Sequence, residues 1–216
     1  MAILAVVFDL DGTVADTAPD IAASMEHILE KYGRYGNLEE LVRTCIGNGT
    51  TKLFGRIYER LGIPSGAIAS DIADYKRYYR SHSYIRTKLY PHTLEVLRSL
   101  KERGLKLAMA TMKPREATRT LVEGSGMRVY LDLVIASDDM LRPKPDPWCV
   151  QECARRFGLQ PGQLAMVGDG MTDVGAAKAA GALSIAVLGG YFDQQAIRDS
   201  GADHIIGDLR EILELL

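Results

Sequence analysis

Asp9 and Asp11 stand one residue apart, with Gly12 and Thr13 behind them, at the end of the apolar run Ile3-Leu4-Ala5-Val6-Val7-Phe8. Two carboxylates this close repel each other, and a divalent cation or a shared proton would relieve the repulsion. Gly12 permits a tight exit from a strand, and Thr13 offers a donor for a phosphate oxygen. Taken alone, the pattern also fits a solvated acidic turn. Three later stretches repeat the theme. Thr111 follows the apolar run Leu105–Ala110, Lys144 lies between Pro143 and Pro145, and Gly168-Asp169-Gly170-Met171-Thr172-Asp173 follows Leu164–Val167. Thr111 by itself reads equally well as a strand-end cap. Lys144 is harder to explain that way, because two prolines fix the backbone of a residue type that is normally mobile on a surface. Carboxylates, one fixed ammonium and hydroxyl donors together suit phosphate chemistry.

The elements that must position these groups follow from periodicity. Ala5–Phe8 is short and apolar throughout, as a strand buried on both faces should be. From residue 90 onward, apolar runs alternate with helical patterns: strands at 105–110, 133–136, 164–167 and 183–187, with helices at 93–103, 113–124, 148–157, 174–180 and 194–199. A short strand at 204–206 and the segment 209–216 close the chain. That alternation predicts an α/β fold, a doubly wound, Rossmann-like parallel sheet with helices on both faces. In such a sheet all C-terminal strand ends lie along one edge, where ligands bind. Residues 14–84 break the alternation. They read as helices, including 38–46, 51–61 and 68–84, with no strand among them, inserted between the first strand and the rest of the sheet. Within that unit, Gly47-Asn48-Gly49 is either a plain connection between helices or a loop whose backbone approaches a small ligand. Arg43, one turn earlier, suits either an anionic substrate or a solvated face. Tyr90-Pro91 marks the return to the sheet.

The 216 residues are 47% hydrophobic and 25% charged, enough for a sizeable core. A net charge of -2 and a pI near 6.1 exclude a broad basic surface, and with it a nucleic-acid partner held that way. No apolar run is long enough to cross a bilayer and no signal-peptide pattern is present, so a cytoplasmic, membrane-free protein is expected. Cys45, Cys149 and Cys153 form no CxxC, and the four histidines no metal-binding group, so any metal should be a hard, oxygen-bound ion. No apolar stripe decides between monomer and homodimer.

Asp9-Leu10-Asp11-Gly12-Thr13, Thr111, Lys144 and Gly168-Asp169-x-x-x-Asp173 resemble, in order, the four motifs of the haloacid dehalogenase superfamily. The resemblance spans essentially the whole chain. It implies a catalytic core at 1–13 and 85–216 and a helical cap at 14–84 that sets substrate specificity. Thr17-Ala18-Pro19-Asp20, Gly47-Asn48-Gly49 and Lys88-Leu89-Tyr90-Pro91 look most like the phosphoglycolate phosphatases of that superfamily. The implied activity is Mg2+-dependent hydrolysis of a small phosphorylated metabolite, 2-phosphoglycolate foremost, through an aspartyl phosphate. The resemblance makes Asp9 the nucleophile and Asp11 the general acid and base. Lys144 and Thr111 become phosphate-stabilising groups, and Asp9, Asp11, Asp169 and Asp173 the metal set. Thr13, Thr111, Lys113, Arg43, Gly47, Asn48 and Gly49 are the implied substrate contacts. Two positions depart from the pattern: Met112 stands where relatives commonly have Asn, and Gly170 where they commonly have Ser. Alternatives on the same scaffold are a phosphatase for pyrophosphate, nucleotides or sugar phosphates, and a phosphosugar mutase. A phospho-accepting signalling module is the non-enzymatic one.

Overall fold

Ala5–Phe8 forms strand β1, whose four residues are at most 1% exposed. Successive side chains of a strand point to opposite faces, so Val6 and Phe8 enter one apolar cluster and Ala5 and Val7 another. The computed structural model describes residues 2–216. After β1 come β2 (Ala15–Asp16), α1 (Ala18–Leu29), α2 (Glu39–Arg43), α3 (Thr50–Leu61) and α4 (Ile68–His82). The chain continues with β3 (Lys88–Leu89), α5 (Thr93–Glu102), β4 (Lys106–Ala110), α6 (Arg115–Gly124), β5 (Leu133–Ile135) and α7 (Trp148–Phe157). It ends with β6 (Leu164–Gly168), α8 (Met171–Ala180), β7 (Leu183–Val187), α9 (Gln194–Arg198), β8 (His204–Ile206) and α10 (Ile212–Leu215).

Among the described residues, six strands form a sheet in the order β5-β4-β1-β6-β7-β8, every pair parallel. This is the α/β, Rossmann-like fold expected from the alternation. Leu107 and Met109 of β4 and Ala165 and Val167 of β6 share the Val6–Phe8 face with Val96, Leu97 and Leu100 of α5. Cys149, Val150 and Cys153 of α7 and Ala176 and Ala177 of α8 cover the opposite face. Cys149 and Cys153 are thus unpaired packing residues of the core.

The helices of residues 18–82 pack around an apolar cluster of their own, built on Met25, Leu29, Phe54, Ile57, Tyr58, Tyr75 and Tyr79. Here the elements differ in detail from the sequence expectation. Helix α2 stops at Arg43 rather than at Ile46: the Thr44 hydroxyl donates to Leu41 O, and the Cys45 and Ile46 amides both donate to Val42 O. A short strand does interrupt the 14–84 stretch. Ala15–Asp16 pairs antiparallel with Lys88–Leu89, so the two chain passages between the sheet and the helical unit form one ribbon. Two residues carry no periodicity, and only the partner strand defines them.

The return passage is anchored by Asp20 of α1, which is 1% exposed and accepts hydrogen bonds from the amides of Ile85, Arg86 and Thr87, each at 2.9 Å. Truncating it strands those donors, at a cost of about 2–3 kcal/mol. Asp20→Ala is therefore expected to lower the thermal midpoint by about 5–10 °C, with Asp20→Asn intermediate, as scanning calorimetry would show. An unchanged midpoint would remove Asp20 from the account of this passage.

Candidate active site

The register of β1 against β4 and β6 sets Phe8 opposite Met109 and Val167, so Asp9, Thr111 and Asp169 leave the sheet side by side. The Asp9 amide donates to Val167 O at 2.8 Å and the Thr111 amide to Ile135 O at 2.9 Å, which holds these first residues beyond the strands to their neighbours. Lys144 reaches the same point from the segment between β5 and α7. Its loop seats Pro145 against α8 at Gly175, where an added Cβ would stand 2.8 Å from the proline Cβ. Lys144 is 4% exposed, and Nζ donates to Asp9 Oδ1 at 2.9 Å, Ala110 O at 3.0 Å and Asp173 Oδ1 at 2.6 Å. An ammonium has three protons, and each one here has an acceptor.

Asp173 was expected just before a helix starting at 174. It lies instead inside α8, because its Oδ2 accepts from the Gly170 amide at 3.0 Å and so caps the first turn. The start of α6 shifts the other way, from 113 to 115. The Lys113 amide donates to Thr111 Oγ1 at 3.1 Å, and Pro114 occupies the cap position.

Asp9, Asp169 and Asp173 each present an oxygen within 4.8 Å of the others. One ammonium does not balance three carboxylates. Burial pushes the Asp9 carboxyl up to about 8 against the pull of Lys144, with Asp173, Asp169 and Asp11 adding to the rise. Burial, followed by Asp173, raises Asp169 to about 7, although the Tyr191 amide and the Thr13 hydroxyl pull it down. Lys144 moves the other way: burial opposes its charge, but Asp173 and Asp9 more than offset that and hold it above the ordinary lysine value. Buried carboxyl oxygens held short of positive charge in this way fit a hard divalent cation, which would favour their ionised form and supply the missing charge.

Asp9, Asp11, Thr111, Lys113, Lys144 and Asp173 line one cleft, and Gly47, Asn48 and Gly49 line it from the helical unit. Asp11 Oδ1 accepts from Lys113 Nζ at 2.8 Å and from Thr17 Oγ1 at 2.6 Å. Lys113 is 3% exposed and also donates to the Tyr79 hydroxyl of α4. Gly47, Asn48 and Gly49 all have positive φ, of 107°, 61° and 87°, a run that brings the backbone to the cleft wall ahead of α3. Two candidates lie elsewhere. Thr13 is buried behind Asp169, donating to its Oδ1 at 2.9 Å and accepting from its amide at 3.0 Å, so its hydroxyl orients an acid. Arg43 is not among the residues lining the cleft and forms a bidentate pair with Asp16 at 3.0 and 2.8 Å and a second pair with Glu39 at 2.7 Å.

Two residues without a motif complete the surroundings. The Tyr191 amide donates to Asp169 Oδ2 at 2.8 Å. Its hydroxyl accepts from the amides of Thr17 and Ala18 at 2.7 and 2.9 Å and donates to Asp16 at 2.8 Å. It thereby ties an acid of the cluster to the first passage into the helical unit. Phe192, the next residue, lines the cleft. The signal for both was Gly189-Gly190, a flexible pair at the tip of another parallel strand, β7.

Three comparisons bear on this geometry. Residues 6–187 match the family model described as haloacid dehalogenase-like hydrolase. A phosphoglycolate phosphatase of Neisseria meningitidis (serogroup A) is 36% identical over 218 residues, covering 98% of this chain and 93% of the relative. That of Escherichia coli (strain K12) is 33% identical, covering 98% and 91%. The crystal structure of a protein described as a predicted phosphoglycolate phosphatase from Haemophilus somnus 129pt superposes with a TM-score of 0.91. It is 28% identical and is covered to 97%, against 99% of this chain. With residues 6–187 matching the family model and nearly its whole length aligned to these relatives, the chain belongs to the haloacid dehalogenase-like hydrolases and is a phosphatase of that family.

Proposed function

We propose that this protein hydrolyses a small phosphomonoester, 2-phosphoglycolate foremost, with Asp9 as nucleophile, in the cytoplasm. The observation that carries the reading is the position of Asp9 at the tip of the central strand. Its Oδ1 is held by Lys144, and Asp11 waits across the same cleft. Asp9 attacks phosphorus, forming an aspartyl phosphate as the bond to the alcohol oxygen breaks, and Asp11 delivers the proton to that oxygen. Water then attacks the same phosphorus, giving its proton to Asp11, and inorganic phosphate leaves as the bond to Asp9 breaks. Asp11 is dressed by Lys113 and Thr17 as a hydrogen-bond acceptor, the form the second step uses. Lys144 neutralises Asp9 and the phosphoryl oxygens, while Thr111 stands at the neighbouring strand tip to donate to one of them.

Mg2+ is the cation we assign to the acid cluster, held by Asp9, Asp169 and the Asp11 carbonyl, with Asp173 supporting. When bound it neutralises phosphoryl charge. Residues 14–84 act as a cap over the strand tips, excluding bulk water while the acyl phosphate persists. An acidic leaving group such as glycolate is supported by the names of the relatives. It is also supported by the start of the 12-residue helix α3 at Thr50 on the cleft wall, where helix amides favour an anion. The reducing setting accords with three buried, unpaired cysteines.

The test is phosphate release from 2-phosphoglycolate, pyrophosphate, nucleoside monophosphates and sugar phosphates, with Mg2+ and with chelator. We expect kcat/KM for 2-phosphoglycolate to exceed the others by about tenfold or more, and chelation to reduce release to background. Preference for another ester would keep the chemistry and discard the substrate. Isomerised sugar phosphate without released phosphate would discard hydrolysis.

A further inference from the structure

The departures at positions 112 and 170 have a shared structural context, which lies in the loop after β7. Phe192 is rooted in the small cluster of Val174, Ala186 and Ile197, and Tyr191 beside it is tied both to Asp169 and to the start of α1. The ring therefore has a fixed base. Its Cε2–Cζ edge meets both Gly170 and Gly47. A Cβ at Gly170 would stand 2.8 Å from the ring Cε2, and one at Gly47 would stand 2.6 Å from Cζ. Met112 makes the matching contact, its Cε lying 3.3 Å from the Cβ position of Gly49. Two glycines of the helical unit thus rest on two apolar side chains of the sheet domain. The cavity left beside Asp9 and Asp11 is small, about 60 Å³.

Gly170 has φ −113° and ψ 152°, extended backbone that any residue can adopt. What limits a side chain here is space rather than backbone conformation: the Phe192 ring at 2.8 Å and Asp173 Oδ2 at 3.0 Å stand where a serine Cβ would be placed.

We propose that Phe192 is a specificity-determining residue, its ring closing the leaving-group side of the cleft together with Met112 and restricting turnover to phosphate esters of short, unbranched alcohols. The inference rests on the phosphomonoesterase reading above and adds to it a size limit set from the sheet domain rather than by the helical unit alone. A furanose or nucleoside would have to displace the ring or lift the Gly47-Asn48-Gly49 loop.

Ethyl phosphate, 2-phosphoglycolate and ribose 5-phosphate are all esters of primary alcohols, which makes them suitable probes. The ratio of ethyl phosphate to ribose 5-phosphate reads size, and the ratio of 2-phosphoglycolate to ethyl phosphate reads the carboxylate. In Phe192→Ala, kcat/KM for ribose 5-phosphate is expected to rise about tenfold or more relative to ethyl phosphate, chiefly through KM. The preference for 2-phosphoglycolate over ethyl phosphate should move little. Gly170→Ala should reduce ethyl phosphate turnover severalfold in the wild-type background and have a smaller effect beside Phe192→Ala, because the nearer of the two groups it meets is gone and only Asp173 Oδ2 remains. Phe192→Leu provides the same comparison if the alanine variant does not fold. Unchanged size ranking in a folded Phe192 variant overturns the inference, as does wild-type preference for ribose 5-phosphate. Loss of the 2-phosphoglycolate preference alone overturns only the substrate reading. Calorimetric binding of ethyl phosphate and ribose 5-phosphate in an Asp9→Asn background, with and without Phe192→Ala, reads the same size ratio independently of turnover. A ratio shifted about tenfold supports the wall, and an unshifted one overturns it.

Discussion

Asp9→Asn is expected to abolish phosphomonoester turnover, a fall of about four orders of magnitude or more in kcat, while the protein stays folded. An amide is a poor nucleophile toward phosphorus and cannot form the aspartyl phosphate, so the loss approaches the whole contribution of covalent catalysis. The same substitution removes one of three clustered carboxylates, two of which share the Lys144 ammonium. Fewer like charges in a buried site should leave the thermal midpoint in chelator equal or higher. The combination matters: lost turnover with an intact midpoint separates chemistry from folding. Steady-state kinetics with scanning calorimetry on one preparation provides both readings. Residual turnover within about tenfold of wild type would rule out Asp9 as the nucleophile.

Lys144→Met should damage both stability and activity. Its side chain is almost fully buried and its three donors satisfy Asp9, Ala110 O and Asp173. Removing it leaves Asp9 and Asp173 without their cation, and breaking a buried pair on one side costs about 3–5 kcal/mol. In a chain of this size the thermal midpoint should fall by about 10 °C or more in chelator. Mg2+ should recover part of that fall, since binding to the folded state alone raises stability. Turnover should drop by about 10²–10³ even with Mg2+ saturating, the usual loss when one charge-stabilising donor is removed. Arg at this position should rescue poorly, because a guanidinium is a planar fork and the pocket holds a point charge with three convergent acceptors. An unchanged midpoint in chelator would mean that the acids are neutralised by another group.

The helical unit has its own electrostatic anchor away from the cleft. Asp71 is buried and receives Lys31, Tyr32 and Tyr58. This cluster ties α4 to the turn after α1 and to α3 and takes no part in the chemistry argued above. It illustrates a general feature of the chain, in which buried acids sit both in the candidate active site and in joints: Asp71 here, Asp20 at the return passage, and Asp169 beneath Thr13 and Tyr191.

Much of this was legible without coordinates. Apolar runs such as Val6-Val7-Phe8 specify buried parallel strands, and alternation with helical patterns specifies the sheet. A parallel sheet brings its C-terminal strand ends to one edge whatever the loops do, so Asp9, Thr111 and Asp169 were bound to meet. Lys144 could be included because flanking prolines announce a fixed backbone. These inferences rest on local periodicity and on one property of parallel sheets, and both are written in neighbouring residues.

Partner choice across long separations was not legible. Lys113 pairs with Asp11, 102 residues away, and the Tyr191 hydroxyl accepts from the Thr17 amide, 174 residues away. Arg43, with the charge to bind an anion, is committed instead to Asp16 and Glu39. Each outcome depends on tertiary packing, on rotamers, and on which acceptor comes within about 3 Å. The two-residue β2 is decided the same way, by a partner strand beyond the whole helical unit. Phe192 is the clearest case: an ordinary aromatic in the sequence lines the cleft only because Gly47 and Gly170 both arrive at the edge of its ring. The sequence alone determined the sheet, its functional edge and the acids carried there; the tertiary structure alone decided which side chains hold those acids and what closes the space beside them, because such contacts are set by docking between distant segments and not by the pattern within any one of them.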